Sequence, residues 1–144
     1  MWNGDAARHV HDRIRTLRPS HKPQWGKMSA PQVVCHLAES LKMALGELAV
    51  APKKAPIRYP PLKQLIVYLA PFPKNVPTAP ELLARAPRDW EADVSDLQSL
   101  VDRFAARGPR AAWVEHPAFG KLSGRAWGVL VYRHMDHHLK QFGA

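Results

Sequence analysis

Two histidines, His134 and His138, stand where a core helix would carry aliphatic side chains. The stretch SGRAWGVLVYRHMDHHLKQF, residues 123–142, has helical spacing. At roughly 100° per residue, Trp127, Val131, His134 and His138 fall along one stripe. Leu130, Met135 and Phe142 flank that stripe, while Arg133, Asp136 and Lys140 fall on the opposite face. Two inward histidines at i and i+4 can bring their rings to one point, which is how a helix offers two nitrogen ligands to a metal ion. A third ligand has to come from another element.

The elements that would position these rings are helical. Val10, Ile14 and Leu17 mark an amphipathic first helix over residues 5–17, stopped at Pro19. His9 and His11 lie in it two apart, too far round the helix to chelate together, and both read as surface residues; His21 reads as an exposed loop residue. Ser29 is an N-cap, Pro31 sits in the first turn, and a helix over residues 31–48 follows with the stripe Val33, Leu37, Leu41, Ala44, Leu45 and Leu48. His36 lies at the margin of that stripe beside Ser40 and Met43, a position open both to a ligand and to an ordinary edge histidine bonded to a carbonyl. Cys35 falls nearly opposite the stripe centre, so the adjacent Cys35 and His36 do not form a nucleophile and its base.

Residues 51–88 change character. Nine prolines, among them Pro60, Pro61, Pro73 and Pro77, break any long element, and the apolar segment LKQLIVYLA reads as a short buried helix inside a crossover that could cover a pocket. Asp89 caps a further helix whose stripe, Trp90, Val94, Leu97, Val101 and Phe104, holds no titratable side chain, and Gly108 and Pro109 end it. The loop that follows carries His116 in HPAFG, either at the mouth of a pocket or simply as a turn residue, and Ser123 caps the histidine helix. Trp113, Phe119 and Trp127 read as core or pocket wall. Four main helices, no phosphate-binding glycine loop and no convincing strand predict an all-α four-helix bundle in which metal sites are built from inward side chains of facing helices.

A chain of 144 residues is expected to be one domain, 1–144, burying about two thirds of its unfolded surface. The longest apolar run is far short of the ~20 residues of a membrane span, and the charged start is unlike a secretory leader; with a single cysteine, Cys35, a reducing cytoplasm is the expected setting. The net charge of +9 gathers in the first half, at Arg8, Arg13, Arg15, Arg18, Lys22, Lys27, Lys53, Lys54, Arg58 and Lys63. No recognition helix, aromatic RNA-binding strand or basic tail accompanies it, which disfavours a nucleic-acid partner and leaves a basic surface suited to anionic small molecules.

The entry W-G-K-M-S into a helix carrying C-H-L, and a last helix reading H-M-D-H-H-L, resemble the DinB-like (DinB/YfiT) superfamily of helical metalloenzymes. HPAFG followed by WGVLVYRHMDHHLKQFG further resembles a bacterial branch of it, and the likeness runs from about Trp25 to Phe142. The resemblance implies an up-down-down-up bundle, often dimeric. It also implies a metal site on one histidine of the second helix and the first and last of the H-x-x-H-H pattern. Those positions here are His36, His134 and His138. His137 points about a right angle away and becomes an outer-layer, lining or surface residue.

Three neutral imidazoles leave a divalent ion its full charge, so a water or thiol brought to the open position is acidified and becomes a nucleophile near neutral pH. Zinc or nickel leads among the metals, and the resemblance adds a low-molecular-weight thiol as a co-substrate. No inward carboxylate at a ligand spacing is visible. The expected function is a metal-dependent hydrolase or thiol transferase on a small molecule. Its competitors are a non-catalytic small-molecule or stress-response module and, less favoured, a nucleic-acid-associated protein.

Overall fold

The computed structural model describes residues 1–53, 55–72, 74 and 78–144; the expectations placed on Lys54, Pro73 and Pro77 fall outside the described residues. The described residues are helical, with one isolated bridge between His116 and Gly120 and no strand. Four long helices, α1 (Gly4–Thr16), α2 (Ala30–Leu45), α4 (Trp90–Arg107) and α5 (Gly124–Gln141), are joined through a one-turn α3 (Leu62–Gln64) in the long crossover. α1 packs on α4 and α5, and α2 packs on the same two. None of these helices is long and apolar enough to cross a membrane.

Local chemistry explains where the helices begin and end. Asn3, Ser29, Asp89 and Ser123 each accept a backbone N–H of the first turn, and at α2 Gln32 answers Ser29 to complete a capping box. α2 stops at Leu45, three residues before the expected Leu48, because Gly46 takes the left-handed conformation (φ 85°) and its N–H turns back to Lys42 and Met43. The apolar faces meet in one core that includes Val10, Ile14, Leu37, Leu41, Leu97, Phe104, Trp127 and Leu139. Gly128 lets that core close at one end: a Cβ there would fall 2.2 Å from Trp2 Nε1, and the Trp2 indole instead lies on α5, donating to Gly124 O at 2.9 Å and stacking on Phe104 at 4.9 Å.

Three expectations change. α2 is buried on nearly every side, so Cys35 is enclosed and its thiol lies 3.7 Å from Asp93 Oδ2, not outward. The α4 stripe holds no titratable side chain, as expected, but Asp93 beside it is buried too, at 2 % exposed. His11 is largely covered, its Nε2 2.7 Å from Asp102 on α4. The apolar crossover segment is not a buried helix: α3 runs into a π-helical turn, Leu65–Leu69, and across the two Val67 alone is buried while Leu62, Leu65, Tyr68 and Leu69 are exposed. Arg133 of α5 holds this turn by donating to the carbonyls of Ile66, Val67 and Ala70. Part of the basic half is also less free than its composition implied: Arg13 bonds Asp136 and Ala144 O, and Arg58 bonds Pro117 O.

Candidate metal centre

α5 carries His134 and His138 one turn apart, and α2, capped at Ser29, carries His36 opposite them. One ligand nitrogen from each of the three lies within 4.8 Å of the others, a group that can hold a metal ion. His36 and His138 are 3 % and 8 % exposed, and His134 keeps more of its surface. Their rings meet edge to face at 4.8–5.0 Å between centroids.

Hydrogen bonds fix which nitrogens remain available. His138 Nδ1 is 2.9 Å from Gln141 Oε1, and the Gln141 amide donates onward to Trp25 O at 2.6 Å. With its amide hydrogens so used, Gln141 presents an acceptor, so His138 Nδ1 carries the proton and Nε2 is left with its lone pair. His36 Nδ1 faces Leu82 O at 3.4 Å, which assigns its proton in the same way. Its Nε2 then lies 3.1 Å from His134 Nε2. Nitrogens bound at 2.0–2.1 Å around a tetrahedral ion are about 3.3 Å apart, so this pair already has the spacing of two ligands. A peptide carbonyl or amide oxygen on the far nitrogen is the usual second layer of a metal-bound histidine.

Burial favours the neutral, metal-binding form of all three rings. It pushes His138 down to about 3, with the charge of a protonated His36 adding to it. It holds His134 well below the usual imidazole range, with His138 and His36 contributing, and it lowers His36 against the opposing bond to Leu82. Metal ions need imidazole deprotonated, and here that condition is built into the fold.

The other sequence candidates stand apart. His137 is half-buried, outside the cluster, its ring 5.1 Å from that of His138 and 5.8 Å from Trp25. His116 takes the turn role: its Nδ1 accepts the N–H of Ala118 and Phe119 at 3.0 and 3.2 Å, and its ring lies against Trp127. Trp127 and Phe119 are core, as expected.

Sequence reasoning missed the groups that orient the ligands. Gln141 reads as an unremarkable polar residue near a helix end. Leu82 acts through its carbonyl, which no side-chain pattern reveals. Its short turn, Pro80–Leu82, is followed by Arg85, which reaches Glu39 of α2 at 3.1 Å and Asp93 of α4 at 3.0 Å. Burial alone would raise the Asp93 carboxyl, but the bonds from Arg88 and the charges of Arg85 and Arg88 outweigh it and hold the group below its ordinary value. A buried carboxylate with two arginines thus pins the turn that delivers a carbonyl to His36.

Among known proteins, residues 3–144 match the family described as "Protein of unknown function (DUF1569)". No curated protein and no solved structure matches the chain. The family match takes in α1, α2, α4, α5 and all three clustered histidines, and by it the chain belongs to the DUF1569 family.

Proposed function

We propose that this protein is a DinB-like four-helix bundle, in up-down-down-up order, that binds one divalent metal ion on His36, His134 and His138 and acts as a hydrolase or thiol transferase on a small molecule. The observation that carries the reading is the convergence of three imidazoles whose burial keeps them neutral, two of them with their Nδ1 atoms on oxygen acceptors. When bound, an ion in such a site acts as a Lewis acid and acidifies a water or thiol brought to it. The remaining work belongs to the chain. Gln141 and Leu82 hold the protons on the outer nitrogens, so that the inner nitrogens present lone pairs. Phe72, whose ring lies 6.0 Å from that of His134 and 5.9 Å from that of His137, shields the cluster from the crossover side. The set of three imidazoles contains no carboxylate, so a divalent ion there keeps its charge undiminished.

Elemental analysis of protein purified without an affinity tag tests this directly. About one equivalent of zinc or nickel per chain is expected, lost in His36→Ala, His134→Ala and His138→Ala and kept in His116→Ala. Equally little metal in the wild type and the three ligand variants, with no rise in melting temperature on adding either ion, would overturn it.

A further inference from the structure

Beside the three histidines lie two hydrogen-bond donors without acceptors among the described residues. Trp25 Nε1 is enclosed and has no partner among the described residues. The exposed Lys74 places its ammonium 4.3 Å from the centroid of the same indole and makes no ion pair among the described residues. Trp25 is bound to the centre itself, because its carbonyl accepts from the Gln141 amide that also orients His138. The His137 ring, 5.8 Å from Trp25 and 5.9 Å from Phe72, completes the wall.

The neighbouring carboxylates are already committed. Asp136 pairs with Arg13 at 2.8 Å and Lys140 at 2.9 Å. Glu39 pairs with Lys42 and Arg85, and Asp93 with Arg85 and Arg88. Arg133 spends its donors on backbone carbonyls. Arg85, whose Nε and Nη2 also lack a hydrogen-bond partner, is held in ion pairs with Glu39 and Asp93. That leaves the neutral Trp25 indole N–H and the Lys74 ammonium as the donors on the Trp25 side of the centre without a carboxylate among the described residues. A buried donor left unpaired is costly, and a ligand that brings an acceptor recovers the loss.

We propose that Trp25 Nε1 and Lys74 form an anion subsite next to the histidine centre, and that the ligand it takes is a small carboxylate with a flat apolar body set against Phe72 and His137. The inference rests on the proposed metal centre only for the other end of that ligand; the subsite consists of the chain's own donors. It assigns the recognition of negative charge to two residues.

The test is calorimetric titration of the full chain, metal-free and zinc-loaded, with benzoate and with its uncharged isostere benzamide at fixed ionic strength, in the wild type, Lys74→Met, Trp25→Phe and Lys140→Met. Benzoate is expected to bind at least about tenfold tighter than benzamide, the scale of one charge-assisted hydrogen bond. Lys74→Met should remove most of that preference and Trp25→Phe about half of it on a logarithmic scale. Lys140→Met should leave it intact, and metal content should be the same in all four proteins. The metal-free protein should keep a weaker preference that still depends on Lys74. Equal affinities for the two probes, or a preference untouched by both Lys74→Met and Trp25→Phe, would overturn the subsite. Zinc uptake without a benzoate preference would remove the subsite and leave the metal centre standing. A Lys74-dependent preference without zinc uptake would do the reverse. Lys74 is exposed, so its variant reports even if Trp25→Phe folds poorly.

Discussion

His138 donates through Nδ1 to Gln141, and the consequence for affinity is direct: an oriented, more basic imidazole binds a metal better. Gln141→Leu keeps the side-chain volume close and removes the acceptor, so zinc affinity measured by chelator competition should fall about 10- to 100-fold while the three ligands stay in place. His116 bears on stability rather than on the centre. Burial, with the charge of Arg58 second, pushes it down to about 4, below the unfolded value of about 6.5. Below that unfolded value the unfolded chain takes up the proton more readily than the folded one. Stability is therefore lost as pH falls from about 6.5 toward 4, by about 3 kcal/mol from this residue, and is unaffected by it at higher pH. Urea melts at pH 7.5 and 4.5 should show a smaller difference in His116→Asn than in the wild type. His134 and His138 were legible because a polar residue in an apolar stripe is visible in the spacing alone. His36 was marginal on the wheel because the wheel weighs one stripe, whereas Val34, Cys35 and Ala38 make the other side of α2 buried as well.

At the scale of elements, the crossover is the informative part. Its short helical stretch turns one apolar side chain inward and several outward, so two substitutions two residues apart should diverge. Val67→Ala is expected to cost about 2 kcal/mol, and Leu69→Ser, at a position 74 % exposed, should stay within about 0.5 kcal/mol by urea denaturation. The number of apolar residues in LKQLIVYLA pointed to burial, but burial depends on what is available to cover them, and α5 offers this turn the Arg133 guanidinium rather than a wide apolar face. The helix ends were legible from Ser29, Asp89 and Ser123, since a cap is a local device. Asp93 was not, because its burial depends on Arg85 and Arg88, which lie outside its own helix.

For the whole molecule, the centre joins α2 and α5 at positions nearly one hundred residues apart in the chain, with the turn Pro80–Leu82 as a third support. Metal binding and folding are then linked by mass action. Free zinc at about one hundred times its Kd should stabilise the fold by about 2.7 kcal/mol and raise the melting temperature by roughly 8 °C, reversed by a chelator and absent in His138→Ala. The helical class was legible throughout, because 3.6-residue periodicity survives in each long segment; the pairing of helices was not, since it depends on contacts far apart in sequence. Arg133, finally, sets a clock for the site. It precedes His134 in the chain and holds the π-helical turn by three carbonyls, so that without these bonds the turn keeps Val67 as its one fully buried side chain against the core. Amide hydrogen exchange should accordingly divide the molecule in two: the Ala70 N–H, bonded to Leu65 O, exchanges through a local opening that Arg133→Ala accelerates, while the interior amides of α4 exchange at the slower rate of global unfolding in both proteins.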